Sequence, residues 1–196
     1  MCFKFLGGLR LKTRIINAFI EETRNNGIKF TMDDLARRLG ISKRTLYEHF
    51  SSKVDILDSI IDVTLAEFDE QTRRILEDPE LSLLEKIRKV IVVVPEYNDF
   101  YDLRILEQLK RSYPAQWERV NREMHQWDDL KGLLEEGIRA GVIKNINIDL
   151  LMRLIIDASN ATMDRQFFLA HSISVTEAFE SIVDVLLTGM LQVEQR

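Results

Sequence analysis

The chain has one cysteine in 196 residues, Cys2, so an internal disulfide is impossible, and no Cys or His lies near it at metal-ligand spacing. That usage fits a reducing compartment. Proline and glycine are also scarce, at three and eight residues. Apolar residues recur three and four positions apart over long stretches, so the chain reads as all-α with no convincing strand. Long hydrophobic runs are missing too. Ile91–Val94 is far too short to cross a bilayer, and Met1–Leu9 lacks the extended apolar stretch and small-residue cleavage site of a signal peptide. Export and membrane insertion are therefore disfavoured, and a cytoplasmic protein is expected. There is no His-x-x-x-His or Cys pair, no Gly-rich phosphate loop and no nucleophile–base constellation. His125, Asp128 and Asp129 accordingly read as helix surface or pocket lining rather than acid–base or metal chemistry, so neither an enzyme nor a cofactor or metal site is expected.

What is present is charge, unevenly placed. The formal net charge is −5, yet residues 1–53 hold 11 Lys or Arg against 5 Asp or Glu (+6), and residues 54–196 hold 16 against 27 (−11). A basic head on an acidic body suits a protein whose one end meets phosphate while the rest stays soluble.

Helix starts are marked by Ser or Thr followed three residues later by an acid, a pairing that satisfies orphan backbone donors. Thr31/Asp34, Ser52/Asp55, Ser82/Glu85 and Ser174/Glu177 are such pairs, and Gly27, Gly40 and Gly141 mark stops. The punctuation predicts helices over Leu9–Asn26, Met32–Leu39, Lys43–Phe50 and Lys53–Leu76, the last ending before Pro79. Further helices are expected near Leu81–Val94, Asp99–Arg111, Pro114–Ala140, Ile148–Ala170 and Val175–Val193.

The informative stretch is Thr31–Lys53, TMDDLARRLGISKRTLYEHFSSK, in which two short helices flank Leu39-Gly40-Ile41. This is a helix-turn-helix pattern: Ala36 permits close helix approach, Gly40 frees the turn, and Ile41 and Leu46 plug the shared core. Lys43, Arg44, Thr45, Tyr47 and His49 then face outward, a donor-rich surface of the kind that enters a major groove. Lys43 and Arg44 suit phosphates or guanine edges, Thr45 a phosphate or a thymine methyl, and Tyr47 the backbone. Ser51, Ser52 and Lys53 open the next helix, where backbone N–H groups and an ammonium form a candidate phosphate clamp; Thr31 opens its helix in the same way. His49 also fits as a packing histidine. Two short helices with a Gly turn serve elsewhere as mere packing units, but here the turn, the basic set and the clamp coincide.

The run from Thr31 through Leu57 resembles the DNA-binding motif of TetR-type bacterial regulators: Thr31, Leu35-Ala36, Gly40-Ile41, Ser42, Thr45-Leu46-Tyr47, His49-Phe50 and Ser52-Lys53 occur in order. The resemblance covers about the first third of the chain. It implies phosphate contacts for Thr31, Tyr47 and Lys53. Arg44 departs from the small residue common there and is either a base contact, the reading favoured here, or a second phosphate anchor. Arg10, Lys12 and Arg14 form either an arm along the DNA backbone or a solvated basic face. The implied organisation is a three-helix helix-turn-helix DNA-binding domain (1–53) joined by a long helix to a helical effector-binding and dimerisation domain (54–196).

The implied partners are a double-stranded, near-palindromic operator, a second copy of the chain and a small-molecule effector that releases a repressor. The last two helices are apolar over more than one face, which predicts a dimer interface at Leu151, Ile155, Phe179, Ile182, Val183, Leu186 and Met190. Alternatively, these are core helices of a monomer. Candidate effector contacts are Tyr97, Phe100, Tyr101, Trp117, Met124, His125, Trp127, Asn160, Met163, Asp164 and Phe167, aromatics with a few polar groups. Asp157, Asn160 and Asp164 are expected on one helix face, binding a polar effector, pairing with Arg153 or Arg165, or facing water. The competing function is a DNA-bound architectural or division-linked protein acting through protein partners without an inducer.

Overall fold

The computed structural model describes the chain from Cys2 to Gln192, with the side chains of residues 2–9, 98, 99, 165 and 175 outside the described set. The described residues form α-helices, one 3-10 turn and a single isolated antiparallel bridge between Ile143 and Leu191. The helices are α1 (Cys2–Asn26), α2 (Met32–Leu39), α3 (Lys43–Tyr47), α4 (Lys53–Glu77), α5 (Leu83–Ile91), α6 (Leu103–Ser112), α7 (Pro114–Glu123), α8 (Asp128–Arg139), α9 (Ile148–Ala161), α10 (Arg165–His171) and α11 (Val175–Met190); the 3-10 turn is Asn98–Tyr101.

The punctuation expected from the sequence is realised locally. Thr31/Asp34, Ser82/Glu85 and Ser174/Glu177 are reciprocal capping boxes, with each side chain bonded to the other residue's backbone N–H. Gly27, Gly40 and Gly141 have φ of 75°, 66° and 72°, the left-handed region that only glycine enters freely.

Three expected helices are each broken in two. Asp99–Arg111 becomes the 3-10 turn and α6, because the Asp102 carboxylate accepts the Arg104 N–H at 2.9 Å and starts a new helix. Pro114–Ala140 breaks at residues 124–127, where i→i−3 bonds from His125 to Arg122 (3.0 Å) and Gln126 to Glu123 (3.4 Å) close the helix. Ile148–Ala170 breaks after Ala161: the Thr162 hydroxyl donates to the Ser159 carbonyl at 2.7 Å, and Asp164 caps α10 by accepting from Phe167 N at 3.1 Å. Asp164 therefore does not share a helix face with Asp157, which pairs with Arg153 at 2.5 Å. The last expected helix reaches Met190, and Val193 lies outside the described residues.

Two compact units follow from the packing: Met1–Leu65 with Glu96–Val120, and Ala66–Pro95 with Asn121–Arg196. Compactness thus divides the chain inside α4 and groups the segment 96–120 with the first unit. In that unit α1 packs on α2 and on the 3-10 turn, and α2 packs on α3. Its buried side chains include Ile15, Ile16, Phe19, Ile20, Leu35, Leu46, Ile56, Leu57, Ile60 and Phe100. Phe19 meets Phe30 edge-on at 5.0 Å, a favourable quadrupole arrangement. The second unit buries Ile87, Leu130, Leu134, Leu151, Ile155, Val183 and Leu187 from α5, α8, α9 and α11 in one cluster. No helix among the described residues is long and apolar enough to cross a membrane.

Candidate nucleic-acid interface

The α2–turn–α3 motif is built from the inside out. Leu35, Ala36 and Leu46 are fully buried, which fixes the rotation of both short helices about their axes. The chain reverses at Gly40, whose N–H reaches the Arg37 carbonyl at 3.2 Å, and Ile41 N donates to Ala36 O at 3.1 Å. Ser42 then caps α3 by accepting from Thr45 N at 3.0 Å, and its hydroxyl also lies 2.8 Å from the Thr45 hydroxyl. With Leu46 inward, helical geometry turns Lys43, Arg44 and Tyr47 to solvent.

The structure brings these side chains to one surface, and the two cations each have an acid close by. The Lys43 ammonium pairs with Asp33 of α2, and Arg44 Nε donates to Glu48 Oε1 at 3.1 Å, one turn along. Arg44 is the most open, with 89% of its side chain exposed. Tyr47 is exposed, and Thr45 and His49 are half-buried. Thr31, also exposed, stands at the start of α2; it donates from its hydroxyl to Asp34 at 2.7 Å, which holds the Asp34 carboxyl below its ordinary value of 3.8. Arg10, Lys12 and Arg14 sit on α1, exposed, with the Lys12 ammonium 5.7 Å from the Phe50 ring centre. Among the described residues they belong to a helix rather than an extended arm.

At the start of α4, the expected anion clamp already holds an anion of the protein's own. Asp55 accepts from the Ser51 hydroxyl, from the Ser52 hydroxyl at 2.9 Å and from Ser51 N at 2.9 Å, which lowers its pKa. Lys53 also turns inward. Its ammonium donates to the Ile28 carbonyl and, at 2.6 Å, to the Phe30 carbonyl, and lies 4.2 Å from the centre of the Phe30 ring. Burial lowers its pKa from 10.5. Two of its three donors thus tie α4 to the α1–α2 turn, leaving one for a phosphate.

The eleven candidate effector contacts do not fall in one unit. Tyr97, Phe100, Tyr101 and Trp117 are in the first, and Met124, His125, Trp127, Asn160, Met163, Asp164 and Phe167 in the second. Tyr97, Phe100 and Tyr101 are buried; burial raises the Tyr101 phenol to about 12. Trp117 lies under the Lys110 ammonium at 5.6 Å, and Trp127 packs against Phe68 at 6.3 Å. His125 is exposed, with Nδ1 2.7 Å from the Asn121 carbonyl, and Phe167 stacks on His171 at 4.3 Å. Met124, Asn160 and Met163 are half-buried.

The residues expected at a dimer face lie in or beside the second unit's own core. Leu151, Ile155, Val183 and Met190 belong to the second unit's own buried cluster, Phe179 is buried, and Ile182 and Leu186 are half-buried. The exposed apolar residues are Leu150 and Leu154 on α9 and Val185 on α11, the last 72% exposed. A helix advances about 100° per residue. A stripe at 150 and 154 therefore lies next to the core stripe at 151 and 155, and hydropathy alone does not separate the two. Sequence reasoning also missed Gln108, whose Oε1 accepts from Ile28 N across 80 positions of sequence; no local pattern encodes such a contact.

Comparison with known proteins bears on the same residues. The family model described as bacterial regulatory proteins, tetR family, matches residues 15–60. The uncharacterized HTH-type transcriptional regulator YvaF of Bacillus subtilis (strain 168) is 32% identical over 183 residues, 93% of this chain and 96% of that one. The fatty acid metabolism regulator protein of the same organism is 24% identical over 185 residues, 90% of this chain and 94% of its own. Among solved structures, the transcriptional regulator FadR from Bacillus subtilis in complex with stearoyl-CoA matches with a TM-score of 0.67 at 21% identity, covering 91% of this chain and 98% of that one, a likeness of fold. With its helix-turn-helix inside the matched segment and a relative 32% identical over more than nine-tenths of both chains, the chain belongs to the TetR family of bacterial regulatory proteins and is a DNA-binding transcriptional regulator.

Proposed function

We propose that the chain is a homodimeric repressor of the bacterial cytoplasm that holds a near-palindromic operator and leaves it when a small molecule binds. Residues 1–53 read the DNA, and 54–196 carry the effector site and the dimer face. The observation that carries this reading is the outward surface of α3: Leu46 is fully buried while Lys43, Arg44 and Tyr47 stand in solvent on the opposite side. Lys43 and Arg44 reach phosphates and base edges, Thr31 and Tyr47 the backbone, Thr45 and His49 the groove wall, and the free donor of Lys53 a phosphate. Arg44, open and paired with Glu48, is the base contact.

A two-fold dimer sets two reading heads about 34–36 Å apart, one turn of DNA. The exposed Leu150, Leu154 and Val185 supply apolar surface for that contact. The effector class is a long-chain acyl thioester. A relative matched over nine-tenths of this chain is named a fatty acid metabolism regulator, and the FadR structure holds stearoyl-CoA. Such a ligand releases DNA only by binding the DNA-incompetent state more tightly. The chemistry is binding throughout, with no enzymatic step. An architectural or division-linked role is not favoured, because the relatives that match over nine-tenths of the chain are named as regulators.

The test is a mobility shift with genomic fragments. The purified chain shifts a palindrome, loses roughly 10³–10⁵ in affinity between 50 and 200 mM salt if it meets 6–10 phosphates, and is released by stearoyl-CoA but not by free CoA. Val185→Asp yields monomers in analytical ultracentrifugation and no shift. No shifted fragment at low salt would end the reading, and release by neither thioester nor CoA would end the effector class alone.

A further inference from the structure

We propose that Gln108 of α6 is a positioning residue of the reading head: it latches the α1–α2 turn and, through that turn, holds the helix-turn-helix in place. The proposal rests on the reading of α2 and α3 as the DNA-contacting elements.

Ile28 is 2% exposed and lies outside any helix, so both of its backbone polar groups need partners. The N–H goes to Gln108 Oε1 at 2.8 Å, and the carbonyl accepts from the Lys53 ammonium. One short turn is thereby gripped from two helices, α6 and α4, by side chains remote in sequence. Phe30, whose carbonyl also accepts from Lys53, directly precedes Thr31, the cap of α2.

The turn is shaped for this contact. A Cβ at residue 27 would stand 2.6 Å from Gln108 Oε1, and the Gly27 φ of +75° is itself one that side chains avoid. The glycine therefore serves both the backbone reversal and the approach of the amide. Ile105, Leu106 and Leu109 bury the inner face of α6 and fix its rotation, which sets the backbone of Gln108 at this distance from the turn. An apolar side chain at 108 would fill the same space but leave the buried Ile28 donor without its acceptor. A displacement of α6 must therefore pull the turn with it or break this bond. In either case the support behind α2 changes.

The experiment uses the full-length chain without effector and compares Gln108→Met, which has similar length and no amide acceptor, with Gln108→Glu, which keeps an acceptor. Gln108→Asn, a methylene too short, is a second disrupting variant should the methionine fail to fold. Amide hydrogen exchange by NMR should show Ile28 exchanging roughly tenfold to hundredfold faster in the disrupting variants. Amides of residues 31–47 should follow by about threefold or more, and affinity for the palindrome should fall about tenfold as pre-organisation is lost. Gln108→Glu should restore all three. Unchanged exchange at Ile28 would overturn the proposal. So would fast exchange at Ile28 with residues 31–47 and operator affinity unaffected, since the bond would then be a local cap. If the unmodified chain shifted no palindrome, the repressor reading would fall, and the exchange of residues 31–47 would still decide the role of Gln108.

Discussion

Replacing Lys53 by methionine removes an ammonium but little volume, and the structure fixes what should follow. Two charge-assisted bonds to the Ile28 and Phe30 carbonyls are lost, together with a cation–π contact at 4.2 Å to Phe30. Hydrogen bonds from a charged donor contribute about 1.5–3 kcal/mol each, and a partly exposed cation–π contact about 1 kcal/mol. Lys53 is only half-buried, so water recovers part of this at both carbonyls, and relief of its desolvation offsets more. A net loss of about 2 kcal/mol remains, which lowers a urea midpoint by about 1 M for a slope near 2 kcal/mol/M. Lys53→Arg keeps the charge and should recover at least half. The pH dependence has a definite sign. Because burial lowers the folded pKa below 10.5, the unfolded chain binds the proton more tightly, and the wild type gains stability as pH rises from the folded value to 10.5. The methionine variant has no group to titrate at this position, so the gap between wild type and variant should widen in that window. A midpoint shift under about 0.2 M, the response of an ordinary surface residue, would refute the reasoning.

Two further measurements address the rest of the chain. A Cβ at Gly137 on α8 would stand 2.6 Å from Ile143 Cδ1 in the second unit's core. Gly137→Ala should therefore cost about 1–2 kcal/mol in denaturant unfolding despite its better helix propensity, and Ile143→Val, which deletes that atom, should reverse much of the loss in a double-mutant cycle. A coupling of zero would exclude the clash. The capping carboxyls Asp34, Glu85 and Glu177 are held below 3.8, 4.5 and 4.5, chiefly by the hydroxyls of Thr31, Ser82 and Ser174. Their contribution is complete above those ordinary values and is lost as pH falls through the lowered folded ones; Ser174→Ala should return the Glu177 carboxyl towards 4.5 in an NMR titration, and an unmoved titration would contradict the capping box.

The parts of the fold that were legible in the sequence are those decided within a few residues. A hydroxyl and an acid three positions apart, or a glycine after the last apolar residue, act through bonds inside one turn of helix, and each such mark is a real boundary here. The helix-turn-helix was legible for the same reason: Ala36, Gly40 and Leu46 determine its geometry locally. The breaks at 102, 124–127 and 162–164 were not, since each depends on a cap or an i→i−3 closure competing with an otherwise good helical periodicity. Which apolar residues of α9 face the core was not legible either, because the helix is apolar at 150, 151, 154 and 155 alike and only the packing of the unit shows that 151 and 155 are the buried pair.

The same contrast between local and distant contacts explains how a head with a charge of +6 carries its basic residues before DNA arrives. Lys43 is paired with Asp33 and Arg44 with Glu48, and all four side chains are more than two-fifths exposed. Exposed pairs of this kind contribute little to stability, so opening them costs little, yet they bias two long side chains towards defined positions. A phosphate or a guanine edge offers each cation a stronger partner, bidentate in the case of Arg44. Carboxylates left facing a wrong sequence, in contrast, repel the phosphates that remain. On the proposed reading of α3 as the DNA-contacting helix, Asp33 and Glu48 hold the two cations in place in the free protein, and DNA must outcompete each acid for its cation. On that reading the acids sharpen discrimination together with Arg44, since only a sequence that offers Arg44 a guanine edge draws it away from Glu48.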